Sequence, residues 1–151
     1  MDRPRITPAA DLAHNGFFSA EKLHLLRATF TRIDAQADIA GLVFYQKLFT
    51  LEPSLQSLFH TSIDLQTRKL MDSLRYIVAT IENPTVLVPA LEAMGRRHVT
   101  YGVRKPHYDL VIKALLETFE QILGDSFSPD VHEVWREALC FVAKSMKNHG
   151  N

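Results

Sequence analysis

One cysteine, one tryptophan and six glycines in 151 residues already narrow the field. Cys140 has no partner for an internal disulfide, which fits a reducing, cytoplasmic setting. No apolar run approaches the roughly 18 residues of a membrane span, and the N-terminus, MDRPRITPAADLAHNG, lacks the apolar centre of a signal peptide. Charge of one sign is also missing. Seventeen basic residues balance seventeen acidic ones, so there is no electrostatic footprint for nucleic acid or an anionic membrane. No glycine-rich dinucleotide fingerprint is present. The carboxylates are dispersed, and no Ser-His-Asp or Cys-His arrangement can be argued. No stretch alternates with period two, which removes the strand signal.

What the chain does have is helical periodicity. The length suits one domain with a single sizeable core. Residues 1–17, with Pro4, Pro8 and Gly16 and little to bury, read as an arm ahead of a domain spanning 18–151. Ser19 is placed to cap a first helix carrying Leu23, Leu26, Phe30 and Ile33. A second begins near Ala37, with Ile39, Leu42, Tyr45, Leu48 and Phe49 expected inside. Glu52-Pro53 opens a short turn through Leu55 and Leu58 to Phe59, and His60 to Asp64 form a corner. A long helix over 64–82 has Gln66, Leu70, Leu74, Ile77 and Ile81 on one face, and Asn83-Pro84 stops it. Another spans 85–99. A fifth carries Tyr108, Val111, Ile112, Leu115, Phe119 and Ile122 and ends near Gly124. The last starts at Ser128-Pro129-Asp130, with Val131, Trp135, Ala138 or Leu139, Val142 and Met146 inside and Cys140 buried beside them. The reading is an all-α domain of six to eight helices.

One residue does not suit its stripe. Leu87, Leu91, Met94 and His98 are spaced 4, 3 and 4 and share a helix face. An imidazole there is either a core histidine bonded to a carbonyl or an axial ligand to a haem iron, which would need an apolar slot around it. An opposite wall would then supply donors to a ligand that gains partial negative charge. Tyr45 and Gln66 are the polar side chains on otherwise apolar faces. Each taken alone reads as an ordinary residue: a core tyrosine with its hydroxyl at the surface, and a solvated first-turn glutamine. His60 reads as a solvated corner residue, and His107 as a helix-capping one.

Three segments together resemble the globins, and within them single-domain bacterial globins and the globin domain of flavohaemoglobins. These are FYQKLFTLEPSLQSLF (44–59), QTRKLM (66–71), and RRHVTYGV followed by KPHYDLV (96–111). The resemblance covers about residues 19–147 and implies a globin fold around haem b. By that resemblance His98 is the proximal iron ligand, and Tyr45 and Gln66 form the distal pair. Phe59 wedges the haem, Leu70 walls the ligand cavity, Met94 and Val103 pack on the proximal face, Lys69 lies near a propionate, and Tyr108 lies near the proximal histidine. The corner before Gln66 is shorter than in flavohaemoglobins. A slip of one residue would put Leu65 or Thr67 distal instead, but Gln66 keeps the 66, 70, 74, 77 face coherent. Flavohaemoglobins also carry a glutamate late in the last helix that polarises the proximal histidine. An ungapped count from Trp135 reaches Gly150 at that place. A missing carboxylate would make the imidazole less basic.

The resemblance implies binding of O2, NO, CO or other small haem ligands, with high O2 affinity from the two distal donors. The alternatives are nitric oxide dioxygenation with a separate reductase, and a gas sensor or partner-binding module. No nucleic acid or membrane partner is expected. The oligomeric state is open between monomer and homodimer.

Overall fold

The computed structural model describes residues 18–148; the expected arm, 1–17, and position 150 lie outside the described residues. Six α-helices and two short 3-10 turns make up the regular structure among them: α1 (Ala20–Asp34), α2 (Ala37–Leu51), a turn Pro53–Leu58, α3 (Ile63–Thr80), α4 (Pro84–Thr100), α5 (Lys105–Leu123), a turn Gly124–Ser126, and α6 (Pro129–Lys147). None of these helices is long and apolar enough to cross a membrane.

Local chemistry sets most of the boundaries. The Ser19 hydroxyl accepts from the Lys22 amide at 3.1 Å, Ser62 from Leu65 at 3.2 Å and Ser128 from Val131 at 3.2 Å, each satisfying a donor that a helix start leaves open. Pro53, Pro84 and Pro129 open their elements, where a missing N–H costs nothing. His107 lies inside α5 as its third residue, and it assists the cap from there by accepting from the Arg104 amide at 3.0 Å. Gly124, at φ +58°, ends α5.

The helices then cross in pairs. α2 packs on α3 and α5, α4 on α6, and α1 on α5 and α6. Trp135 sits at the centre, with its ring 4.6 Å from Phe119 and 6.2 Å from Phe30. Its indole N–H donates to Thr29 Oγ1 at 2.9 Å, so the largest core side chain is polar-satisfied and ties α6 to α1. Two crossings depend on glycine. A Cβ on Gly41 of α2 would run into the Thr67 side chain of α3, and one on Gly95 of α4 would run into the Met146 backbone of α6.

Three expectations change. Ile39 and Leu42 are 53% and 50% exposed, while Ala40, Gly41, Val43, Phe44, Tyr45 and Leu48 are buried. α2 is covered on two sides, and its small residues mark where neighbours come closest, which leaves the Ile39–Leu42 edge to solvent. On α3 the fully buried stripe is Thr67, Met71, Leu74, Ile77, Val78 and Ile81; Gln66 and Leu70 flank it, half-buried. Cys140 is exposed rather than buried. The inner face of α6 runs through Leu139 and Val142, and Cys140 turns out beside Arg136, whose guanidinium lies 3.9 Å from its sulfur.

Candidate haem site

α2 brings Tyr45 to the inside of the fold, where only 5% of it is exposed. Its ring meets Phe44 at 4.8 Å, Phe59 at 5.5 Å and Phe49 at 5.9 Å. This aromatic cluster is what the Pro53–Leu58 turn achieves: it folds Phe59 back onto the helix before it. Burial pushes the phenol's pKa well above its ordinary value of 10.0, so Tyr45 stays protonated and is a donor. That proton goes to the backbone carbonyl of Gln66 at 3.2 Å, a contact that pins α2 to the first turn of α3. The Gln66 side-chain amide donates to the Thr61 hydroxyl in the preceding corner. The structure therefore brings Tyr45 and Gln66 together and adds Thr61, which sequence reasoning did not find. Of the two alternatives to Gln66, Leu65 is half-buried and Thr67 is committed to the Gly41 crossing.

His98 stands in the last turn of α4 and is half-buried. Its Nδ1 lies 2.7 Å from the carbonyl oxygen of Met94. A carbonyl only accepts, so Nδ1 carries the hydrogen and Nε2 keeps its lone pair. Nε2 has no hydrogen-bond partner among the described residues. Burial lowers the imidazole's pKa below the ordinary 6.5, the Met94 bond opposes this, and the Arg97 charge adds to the lowering. The result is a neutral imidazole with a fixed tautomer and a free lone pair, which is the form a metal takes.

The corner after α4 is held from the same helix end. The Val103 amide donates to the His98 carbonyl at 3.0 Å, and Gly102 makes the turn at φ +97°. A Cβ on Gly102 would come 3.1 Å from Leu58, so this corner sits against the Pro53–Leu58 turn. Phe59, Leu70, Met94 and Tyr108 are half-buried on the rim of the single core that also holds Tyr45. Val103 is half-buried and Lys69 is exposed. Burial raises the pKa of Tyr108. No hydrogen bond or ring contact joins the Tyr45–Gln66 group to His98 among the described residues.

No group of three or more His, Cys, Asp or Glu side chains among the described residues could hold a metal ion. A single directed imidazole can therefore serve only a metal that brings most of its own ligands, as haem iron does. The residues present fit that group: one neutral nitrogen ligand, an apolar rim, and a buried hydroxyl on a different helix pair.

Comparison with known proteins decides the family. A family model described as Globin matches residues 42–146. The chain belongs to the globin family. Among its curated relatives, this globin is 30% identical over 134 residues to a flavohemoprotein of Xylella fastidiosa, a span that is 87% of this chain and 34% of that one. It is 26% identical over 127 residues to a flavohemoprotein of Vibrio cholerae, covering 82% and 32%. The globin thus spans about a third of the length of these relatives. Among solved structures, a hexacoordinated heme protein from an anhydrobiotic tardigrade superposes with a TM-score of 0.82 over 91% of this chain and 98% of that one. At 16% identity that likeness speaks to the fold alone. An engineered carbene transferase, a candidate nitric oxide dioxygenase from Rhodothermus marinus, is 26% identical with a TM-score of 0.78, covering 88% and 93%. The all-α globin fold expected from the sequence is the fold observed, and membership of this family carries haem binding with it.

Proposed function

We propose that this globin takes up O2 and other small ligands such as NO and CO at haem iron held by His98, with Tyr45 and Gln66 as the distal donors. The observation that carries the reading is the His98 imidazole, locked through Nδ1 on Met94 and, among the described residues, unpartnered at Nε2. Haem b would supply the ligand-binding and redox chemistry. The chain's part is to fix the imidazole plane, to keep Tyr45 protonated by burial, and to wall the site with Phe59, Leu70, Met94, Val103 and Tyr108. Lys69 is assigned to a propionate at the solvent edge.

Tyr45 and Gln66 both have donors to offer, and both are held by soft contacts: a single hydrogen bond to a carbonyl and one to a hydroxyl. Turning them toward a partly negative ligand exchanges those bonds for stronger ones, about 1.5–3 kcal/mol for a charged partner. This favours tight O2 binding with slow release, and scavenging over transport. The Met94 carbonyl as the partner of Nδ1, in place of a carboxylate, keeps the imidazole a moderate electron donor.

The test is the visible spectrum of the purified protein beside His98→Ala, as ferric, reduced, and reduced with CO. The expected result is a strong Soret band that shifts with CO in the wild type, and loss of haem or of normal proximal ligation in the variant. A wild type that takes up no supplied haem overturns the proposal. The likeness to flavohemoproteins and to a candidate nitric oxide dioxygenase favours a second reading, NO conversion to nitrate with a separate reductase. Sustained NO consumption with an added reductase, against a single turnover without one, separates it from ligand binding alone.

A further inference from the structure

The chain is balanced in charge, but its charge is unevenly placed. Residues 93–108 contain Arg96, Arg97, Arg104 and Lys105 and no acidic residue. All four are exposed, and they flank the corner between α4 and α5. Within this corner stand two large apolar side chains in water, Val99 at 45% and Tyr101 at 58% exposure. The Tyr101 ring lies 5.9 Å, centre to centre, from the His98 imidazole.

The backbone there is well tied. The Tyr101 amide donates to the carbonyls of Arg97 and His98 at 3.2 and 3.1 Å, Gly102 to Val99 at 3.0 Å, and Val103 to His98 at 3.0 Å. The corner is thus an ordered platform with an apolar centre and a basic rim. That is the anatomy of a protein contact: exposed aromatic area gives contact energy, and rim charge sets partner choice and association rate. Arg97 and Arg104 put two exposed like charges on this rim, which favours a partner of opposite sign. The platform also touches His98, the side chain proposed above to hold the iron, so a partner docked here is brought close to the site that an electron would reach.

We propose that the corner formed by Arg96, Arg97, Arg104 and Lys105 around Val99 and Tyr101 docks an electron-donor protein with an acidic face. The donor loses one electron, which reduces ferric iron to ferrous; no bond forms or breaks. The proposal rests on the haem reading above, since an electron donor has no purpose without the iron.

The experiment uses the haem-loaded full chain and, as probe, photoreduced flavodoxin, a strongly acidic one-electron donor. The rate of iron reduction is followed at the Soret band across ionic strengths. The variants are Arg97→Glu/Arg104→Glu and, as a charge control on the exposed face of α5, Lys113→Glu. The expected wild-type rate falls as salt rises, because steering between opposite charges is screened. The double reversal lowers the low-salt rate by about tenfold or more, while Lys113→Glu stays near wild type. With photoreduced riboflavin, which brings no protein surface, none of the three shows that fall with salt. Retention on immobilised flavodoxin gives a readout that needs no haem: the double variant elutes at lower salt than wild type or Lys113→Glu. Equal rates and equal elution for the two charge variants overturn the proposal. So does a double variant that loses haem but still binds flavodoxin, since the charges would then serve the haem's own carboxylates. A wild type that is retained by the resin but takes up no haem sinks the haem reading and leaves the acidic-face contact standing.

Discussion

His98 shows how the surroundings of an imidazole can fix its tautomer and its charge. Its pKa is lowered, so between that value and the ordinary 6.5 the unfolded chain binds a proton that the folded chain refuses. Stability of the haem-free protein therefore rises with pH through this window and falls on acidification below 6.5. Urea titrations of the haem-free protein at pH 7.5 and 5.5 should show this loss, and His98→Gln should show a smaller one; equal losses would acquit His98. Tyr45 carries the second prediction at this scale. Tyr45→Phe keeps the ring contacts with Phe49 and Phe59 and deletes the bond to the Gln66 carbonyl. Unfolding free energy should drop by about 1 kcal/mol. O2 release from the reduced haem protein should quicken by roughly tenfold or more, the equivalent of one hydrogen bond to a charged partner. Stopped-flow dissociation measures this directly, and an unchanged rate would take the distal role away from Tyr45.

At the scale of helices, the positions of the side chains around the site depend on two close crossings. Gly95 stands one residue after Met94, and the obstacle facing it is backbone, which cannot move aside. Gly95→Ala should cost about 1–3 kcal/mol and loosen α4 on α6, with reduced haem retention as the functional sign. Gly41 faces a side chain, so its conflict is exchangeable. Gly41→Ala should destabilise by a similar amount, and Gly41→Ala/Thr67→Gly, which moves the small residue across the crossing, should restore most of it. Thermal melts of the three proteins decide; a double variant no better than Gly41→Ala would place the conflict elsewhere. These crossings also mark where the sequence was legible and where it was not. Helix limits were readable because Ser19, Ser128, Pro84 and Gly124 act locally, and the inner face of α6 was readable because Val131, Trp135, Val142 and Met146 stand against polar neighbours. α2 is apolar nearly all round, so Ile39 and Leu42 match a helical period as well as Phe44 does, and only tertiary packing chooses between them. His98 stood out as an imidazole on an apolar stripe. Thr61 did not, because its partnership with Gln66 depends on how the corner before α3 turns.

The molecule as a whole is organised around Trp135, and its first described residues are part of that organisation. Phe18 is 1% exposed and belongs to the same core as Trp135, Phe30 and Phe119, and Ser19 caps α1 immediately after it. The family match begins later, at residue 42, so it does not by itself say where the domain must start. A domain that starts at Phe18, as proposed from the sequence, can be cut on either side of that residue. A chain beginning at Phe18 keeps the buried ring and the cap; its melting temperature, haem uptake and CO spectrum should match those of the full chain. Phe18→Ala within that shortened chain removes a fully buried aromatic side chain and should cost about 3–5 kcal/mol, visible as a lower urea midpoint with the slope unchanged. Loss of haem uptake on removing residues 1–17 alone would instead make the arm a working part of the haem domain. Unchanged uptake together with lost retention on immobilised flavodoxin would assign it to the partner contact.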